Sequence, residues 1–190
     1  MDSEISILIR IVLFIVLSVP LAILSWKPLH NVHSHGFYRF FAFEGTLIMV
    51  FINLPYWITN PFSPLQILSW VILTCSALLV IQGVWLLKRA GISVPNRVVS
   101  PENLKFENTT RLVTEGIYKY IRHPMYGSLM LLTWGALLKQ FTFYGLAIAL
   151  VTTAFIFATA RIEEVENISY FGSSYARYMK RTKMFIPYIF

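Results

Sequence analysis

Apolar residues run in long blocks along this chain, and the polar residues gather between them. Four blocks approach or exceed the roughly 20 residues needed to cross a hydrocarbon core: Ile5–Trp26, Phe40–Trp57, Leu65–Leu87 and Phe141–Ala160. A fifth block, Met125–Leu138, is shorter. As a helix it spans about 21 Å against a core of about 30 Å. It crosses only if its helix starts upstream, near Tyr118, or if it is tilted or partly buried in protein. Only Lys139 and Gln140 separate it from the next block, which predicts a tight helical hairpin. Beyond Ala160, the residues Ile162, Val165, Ile168, Phe171, Tyr175 and Tyr178 recur at three- and four-residue steps. That is the period of an amphipathic helix, with a break predicted near Gly172.

The pattern predicts an all-α integral membrane protein with about five transmembrane helices, a C-terminal helical hairpin and a cytoplasmic amphipathic tail helix. It forms one membrane domain over residues 1–190, with three spans in 1–88 and the connector, hairpin and C-terminal helix in 89–190. Composition agrees, since 56% of residues are hydrophobic and 13% are charged, about half the charged share of soluble domains.

Charge sets an expected orientation. Five crossings would place fourteen Lys and Arg residues on one side and only Arg10 and Lys139 on the other. The basic side is then cytoplasmic, with the N-terminus outside and the C-terminus inside. The net charge of +7 is spread over loops rather than gathered in one patch, which argues against a nucleic-acid partner. The opening "MDSEISILIR" is acidic and no small-residue cleavage site follows it, so it reads as a first span rather than a cleaved leader. Cys75 is the only cysteine, which excludes an intramolecular disulfide and a cysteine metal cluster. It is expected as a small apolar packing residue.

Four places carry candidate chemistry. His30, His33 and His35 lie in a turn with no nearby acid or cysteine, so a loop near the headgroups is expected rather than a metal site. Glu44 sits inside the second block, where an ionisable group is costly and implies either function or a partner. Arg122, His123 and Tyr126 open the hairpin, and Arg161, Glu163, Glu164 and Glu166 follow its second helix. An antiparallel hairpin brings these last two groups together at the membrane edge, and such convergence of polar groups marks a site.

The stretch "RLVTEGIYKYIRHPMYGSL" and the later "RIEEVENISYFGSSYARYMKRTKMFIP" resemble the isoprenylcysteine carboxyl methyltransferase family and the related membrane phospholipid methyltransferases. The resemblance rests on Leu112, Val113, Gly116 and Tyr118; Arg122, His123, Pro124 and Tyr126; Glu163 and Glu164; and Phe171, Gly172, Tyr175 and Tyr178. It covers about the last 90 residues. It implies the cofactor S-adenosyl-L-methionine, with contacts at Asn103, Thr110, Arg111, Leu112, Val113, Tyr118, His123, Pro124, Met125, Tyr126 and Glu163. His123 and Glu164 are then candidates to take a proton from the acceptor. The residue types suit a sulfonium ligand. Tyr118 and Tyr126 offer ring faces to the cation, Glu163 offers opposite charge or a ribose contact, and the N–H groups behind Pro124 suit a carboxylate.

Two positions depart from the family pattern. Thr110 replaces a frequent histidine. Relatives acting on prenylcysteine carry an arginine where this chain has Thr159. Arg161, the candidate to replace it, lies about 200° further round an ideal helix. The implied activity is methyl transfer to a lipophilic or lipidated acceptor at the cytoplasmic face, most similar to carboxyl methylation of prenylcysteine. Phospholipid N-methylation and thiol S-methylation are the alternatives. Outside that class stand an NADPH-dependent membrane reductase, for which the chain is short, and a non-enzymatic membrane protein.

Overall fold

The computed structural model describes residues 2–90 and 111–188. These form six α-helices: α1 (Asp2–Leu24), α2 (His35–Asn53), α3 (Pro64–Ala90), α4 (Pro124–Leu137), α5 (Phe143–Phe171) and α6 (Ser173–Arg181). Short 3₁₀ turns occupy Pro28–His30, Leu54–Tyr56 and Gly116–Lys119. Among the described residues the extended pairing is a single parallel bridge between Ile121 and Lys183.

Four helical segments are long and apolar enough to cross a membrane: Ser6–Leu24, His35–Tyr56, Pro64–Arg89 and Phe143–Phe171. The helix α4 is not, at 14 residues. It starts at Pro124 rather than near Tyr118 for a local reason. A residue before proline is held out of the helical region, and His123 sits at φ −123°, ψ 62°. Pro124 also has no N–H with which to continue a helix from upstream. Burial accommodates the short helix. It packs between α3 on one side and α2 and α5 on the other, with Gly127, Ser128, Thr133, Gly135, Ala136 and Leu137 buried. The expected five spans therefore resolve into four helices of spanning length and a short one packed among them.

Small and hydroxylic residues let the helices approach, as is usual where lipid surrounds the bundle. At Gly45 of α2 a Cβ would run into the Thr152 side chain of α5, so a side chain there would force Thr152 or the two helices to shift. Thr46 Oγ1 and Thr133 Oγ1 share a hydrogen bond of 2.8 Å between α2 and α4. Ser69 Oγ and Ser76 Oγ of α3 donate to the backbone oxygens of Gly135 and Ser128, each at 2.7 Å. One apolar core joins Ala42, Tyr126, Ile156, Ala160, Met184 and Phe185, and a second joins Met49, Ala136, Leu137 and Ala149.

Glu44 is partnered within the bundle, accepting from Ser18 Oγ of α1 at 2.6 Å. Cys75 is exposed on α3, which corrects the expectation that it packs inside. The helix α5 runs unbroken from Phe143 through Arg161 to Phe171. At about 43 Å it exceeds the hydrocarbon thickness, so its last turns project beyond an apolar slab. It stops at Gly172, whose φ of +60° lies where side chains are strained and glycine is not. The chain then turns into α6, a break at the expected position.

Candidate functional site

The site forms where the start of α4, the end of α5 and α6 meet. Arg122 holds them together. Its Nε donates to Glu164 Oε1 at 2.6 Å, and its Nη1 donates to the backbone oxygens of Thr182 at 2.5 Å and Met179 at 3.3 Å. The Arg122 and Glu164 side chains are 9% and 3% exposed, so this ion pair is buried. Such a pair persists only when its hydrogen bonds are well satisfied. Glu164 Oε1 also lies 3.5 Å from His123 Nε2, and its Oε2 lies 3.7 Å from Arg161 Nη1.

The chain after α6 completes the wall. It runs beside residues 120–123 in parallel, with Lys183 N–H donating to Tyr120 O, Arg122 N–H to Lys183 O and His123 N–H to Met184 O, at 2.8–3.1 Å. Met184 and Phe185 then pack on Tyr126 in the core. The His123 ring stacks on Tyr126, with centroids 5.6 Å apart and planes 22° apart.

These elements enclose a pocket. Its lining includes Leu112, Val113, Tyr118, His123, Pro124, Met125, Tyr126 and Glu163, all named from the sequence as cofactor contacts. Asn103 and Thr110 lie outside the described residues. Arg111 does not line the pocket. It is exposed and pairs with Glu115 at 3.7 Å. Glu164 stands behind the wall, bonded to Arg122. Arg161 is also outside the lining, with a side chain 61% exposed. Thr159 is fully buried and its hydroxyl donates back to Phe155 O at 2.7 Å.

Sequence reasoning named no cofactor contact at Leu87, Arg122, Asn167, Phe171, Tyr175 and Tyr178, all of which line the pocket, although it had set Arg122 among the converging polar groups. A signal for two was available. Asn167 and Phe171 follow Glu163 at four-residue steps, which is one face of a helix. Burial pushes the phenols of Tyr175 and Tyr178 well above the ordinary tyrosine range, and the charges of Glu163 and Glu164 push Tyr175 further. Both are therefore neutral donors at neutral pH. Tyr178 OH donates to Tyr118 O at 2.7 Å.

The histidines of the first turn separate. His30 Nδ1 lies 2.7 Å from Trp26 O, and His33 is exposed. His35 is fully buried, with Nδ1 2.7 Å from Glu166 Oε2 and Nε2 without a hydrogen-bond partner. The sequence carried no signal for that pair, which joins the start of α2 to the end of α5.

The pocket has a cavity volume of about 80 Å³, below the roughly 300 Å³ at the lower end of small-molecule sites. A molecule larger than a few atoms would therefore extend out of it toward solvent. The lining suits a ligand with a cation, hydroxyls and a flat apolar part. It offers phenol rings, the Glu163 carboxylate, the Asn167 amide and the apolar side chains of Leu87, Leu112 and Val113.

Fold and site define a helical membrane protein with a polar pocket at an end of its bundle, walled by aromatic residues and the Glu163 carboxylate. The profile of the phospholipid methyltransferase family matches residues 65–174, and the chain belongs to that family. A methanethiol S-methyltransferase of Crocosphaera subtropica is 28% identical over 94% of this chain and 60% of its own length. Methanethiol S-methyltransferase 1 of Bradyrhizobium diazoefficiens is 37% identical over 41% of this chain and 27% of its own. The human protein-S-isoprenylcysteine O-methyltransferase is 30% identical over 78% of this chain and 52% of its own. The chain thus spans between about a quarter and three fifths of the length of these curated relatives. No solved structure gives a significant match.

Proposed function

We propose that this protein is an S-adenosylmethionine-dependent methyltransferase that acts at the cytoplasmic face of a membrane on a lipophilic acceptor. The observation that carries the reading is the pocket itself. Leu112, Val113, Tyr118, residues 122–126, Glu163 and the tyrosines of α6 converge on one cavity, in a chain of the phospholipid methyltransferase family. The cofactor, when bound, supplies an activated methyl group on a sulfonium centre. The chain's own residues then position and desolvate the reactants. Glu163 and the phenols of Tyr118, Tyr126 and Tyr175 surround a positively charged ligand. The N-terminal end of α4, with its positive dipole, receives an anionic end. Arg122 and Glu164 hold the frame on which His123 is mounted.

Acceptor class turns on the cations available. A carboxylate acceptor needs a positive partner. Thr159 is neutral, Arg161 is 61% exposed, and among the described residues the one guanidinium in the lining, Arg122, already serves Glu164 and two backbone oxygens. This supports a thiol acceptor over the carboxylate of prenylcysteine, and a methanethiol S-methyltransferase aligns over 94% of this chain. A thiol must lose its proton. His123, which lines the pocket, is our candidate to take it.

Two titrations and one transfer assay test the reading. S-adenosylhomocysteine is titrated calorimetrically into detergent-purified protein, with NADPH in parallel. Radiolabelled methyl transfer is then measured to a short alkanethiol, farnesylcysteine and phosphatidylethanolamine. Homocysteine-compound binding that weakens in Glu163→Gln, with label on the thiol, is the expected result. Label on farnesylcysteine alone would return the acceptor to a carboxylate. NADPH binding in place of S-adenosylhomocysteine would overturn the methyltransferase reading.

A further inference from the structure

Next to the candidate pocket lies a second and larger recess of about 450 Å³, bounded by residues 112–119 and by α6. The two share the side chains of Leu112 and Tyr178 as a party wall. The recess differs in charge. Lys119, Arg177 and Arg181 line it together with Thr114, Ser174 and Thr182, and no carboxylate lines it among the described residues. None of the three cations is in an ion pair among those residues. Arg177 instead reaches the hydroxyls of Ser173 and Ser174, each at 3.4 Å, and the Lys119 ammonium lies 5.9 Å from the ring centre of Tyr120.

The floor of the recess is rigid. Tyr178 and Thr182 are buried. Thr182 Oγ1 donates to Tyr178 O at 2.8 Å, Tyr178 OH donates to Tyr118 O, and the backbone oxygen of Thr182 accepts from Arg122. Three unpaired cations and several hydroxyls on a fixed floor match a tetrahedral oxyanion. Arginine forks bind phosphate oxygens two at a time, and the lysine adds a point charge.

A second feature indicates where that oxyanion comes from. Beside Lys119 and Lys183 the surface changes to exposed aromatic and apolar side chains. Tyr120 and Tyr188 lie with ring centres 6.0 Å apart, and both are exposed together with Ile186. Exposed tyrosines next to basic residues are the mark of a headgroup interface. A free phosphate would gain nothing from them, whereas a lipid places its phosphate and its glycerol and upper chains at those two levels.

We propose that the recess between residues 112–119 and α6 binds the phosphate of an anionic phospholipid headgroup. The bound lipid would pin α6, and with it the Tyr175 and Tyr178 wall of the neighbouring pocket, to the membrane surface. The site is separate from the pocket assigned to the cofactor, and it does not depend on which acceptor is methylated.

The test compares the whole protein in nanodiscs of phosphatidylcholine, to which short-chain phosphatidylglycerol is added, and reads affinity and its salt dependence. The double variant Arg177→Gln/Arg181→Gln is compared with Lys180→Gln, an exposed α6 residue outside the lining. Affinity for phosphatidylglycerol is expected to fall about 10- to 30-fold in the double variant, with a shallower salt dependence and S-adenosylhomocysteine binding retained. Lys180→Gln is expected to change it little. An equal fall in Lys180→Gln would reduce the effect to general surface charge and overturn the site. Inorganic phosphate competing as well as the lipid would make it a soluble-phosphate site and overturn the lipid assignment. Loss of S-adenosylhomocysteine binding in the double variant would assign the recess to the cofactor and overturn its independence.

Discussion

Arg122 stands just before α4 and Lys139 just after it, so this 14-residue helix has a buried cation at each end. Arg122 meets a carboxylate and two backbone oxygens, and a pocket lies against it. Lys139 meets no carboxylate among the described residues. Its Nζ donates to Gln66 Oε1 at 3.1 Å and lies 3.6 Å from the ring centre of Trp70 and 5.7 Å from that of Trp57. Gln66 Nε2 in turn donates to Lys139 O and Tyr56 O. Burial lowers the lysine's pKa from its ordinary value. The aromatic cage stabilises a cation by ring quadrupoles and fills its own space. The guanidinium instead demands a counter-charge and several oxygens, which draws α5 and the chain after α6 together and leaves a polar wall beside them. One end is closed by its cation, while at the other the cation builds a site.

Replacing both cations is the sharpest way to break this comparison. Arg122→Met should have the largest effect. It strands Glu164 in the interior, which costs about 3–5 kcal/mol for a buried charge left without its partner. Thermal unfolding in detergent should show a large fall, and S-adenosylhomocysteine binding should be lost with it. Glu163→Gln comes next. Glu163 lines the pocket and pairs with no cation among the described residues. Stability should therefore hold while cofactor affinity drops about 10- to 100-fold, the worth of one hydrogen bond to a charged group. A parallel loss of melting temperature would show that Glu163 serves the frame instead. Lys139→Met should cost about 1–2 kcal/mol, from the lost ring contacts and the unsatisfied Gln66 oxygen, and leave cofactor affinity unchanged. A change in affinity there would mean the two ends of α4 are coupled. The smallest effect is expected at the α5–α6 turn. Gly172→Ala should destabilise by about 1 kcal/mol, because the strained φ meets open space rather than a clash.

Legibility varied with the distance over which each contact acts. The apolar blocks announced α1, α2, α3 and α5 because crossing lipid requires a long unbroken run. The break at Gly172 was visible because glycine takes a positive φ without the strain a side chain would bring. Leu112, Val113, Tyr118 and the residues from His123 to Tyr126 stood in a compact motif, and the structure places them around one pocket. Helix periodicity alone did not say whether Arg161 or Glu164 turns inward. In the structure Glu164 is buried and Arg161 is exposed. The short block at Met125–Leu138 was legible too, and of the ways open to it the structure takes burial in protein, with α4 over Pro124–Leu137; the upstream start near Tyr118 is closed by the rule governing residues before proline.

What the chain's order of residues determined by itself is the set of spanning helices, the break at Gly172 and the motif on which the family rests. These follow from local sterics and from the cost of polar groups in lipid, which act within a few residues. Only the tertiary structure decided the rest. It paired Arg122 with Glu164 and His35 with Glu166, laid Lys183 and Met184 beside Tyr120 and His123, and set the basic recess against the pocket. The two ion pairs join residues 42 and 131 positions apart. Side-chain chemistry makes such partners eligible, but helix packing selects among them.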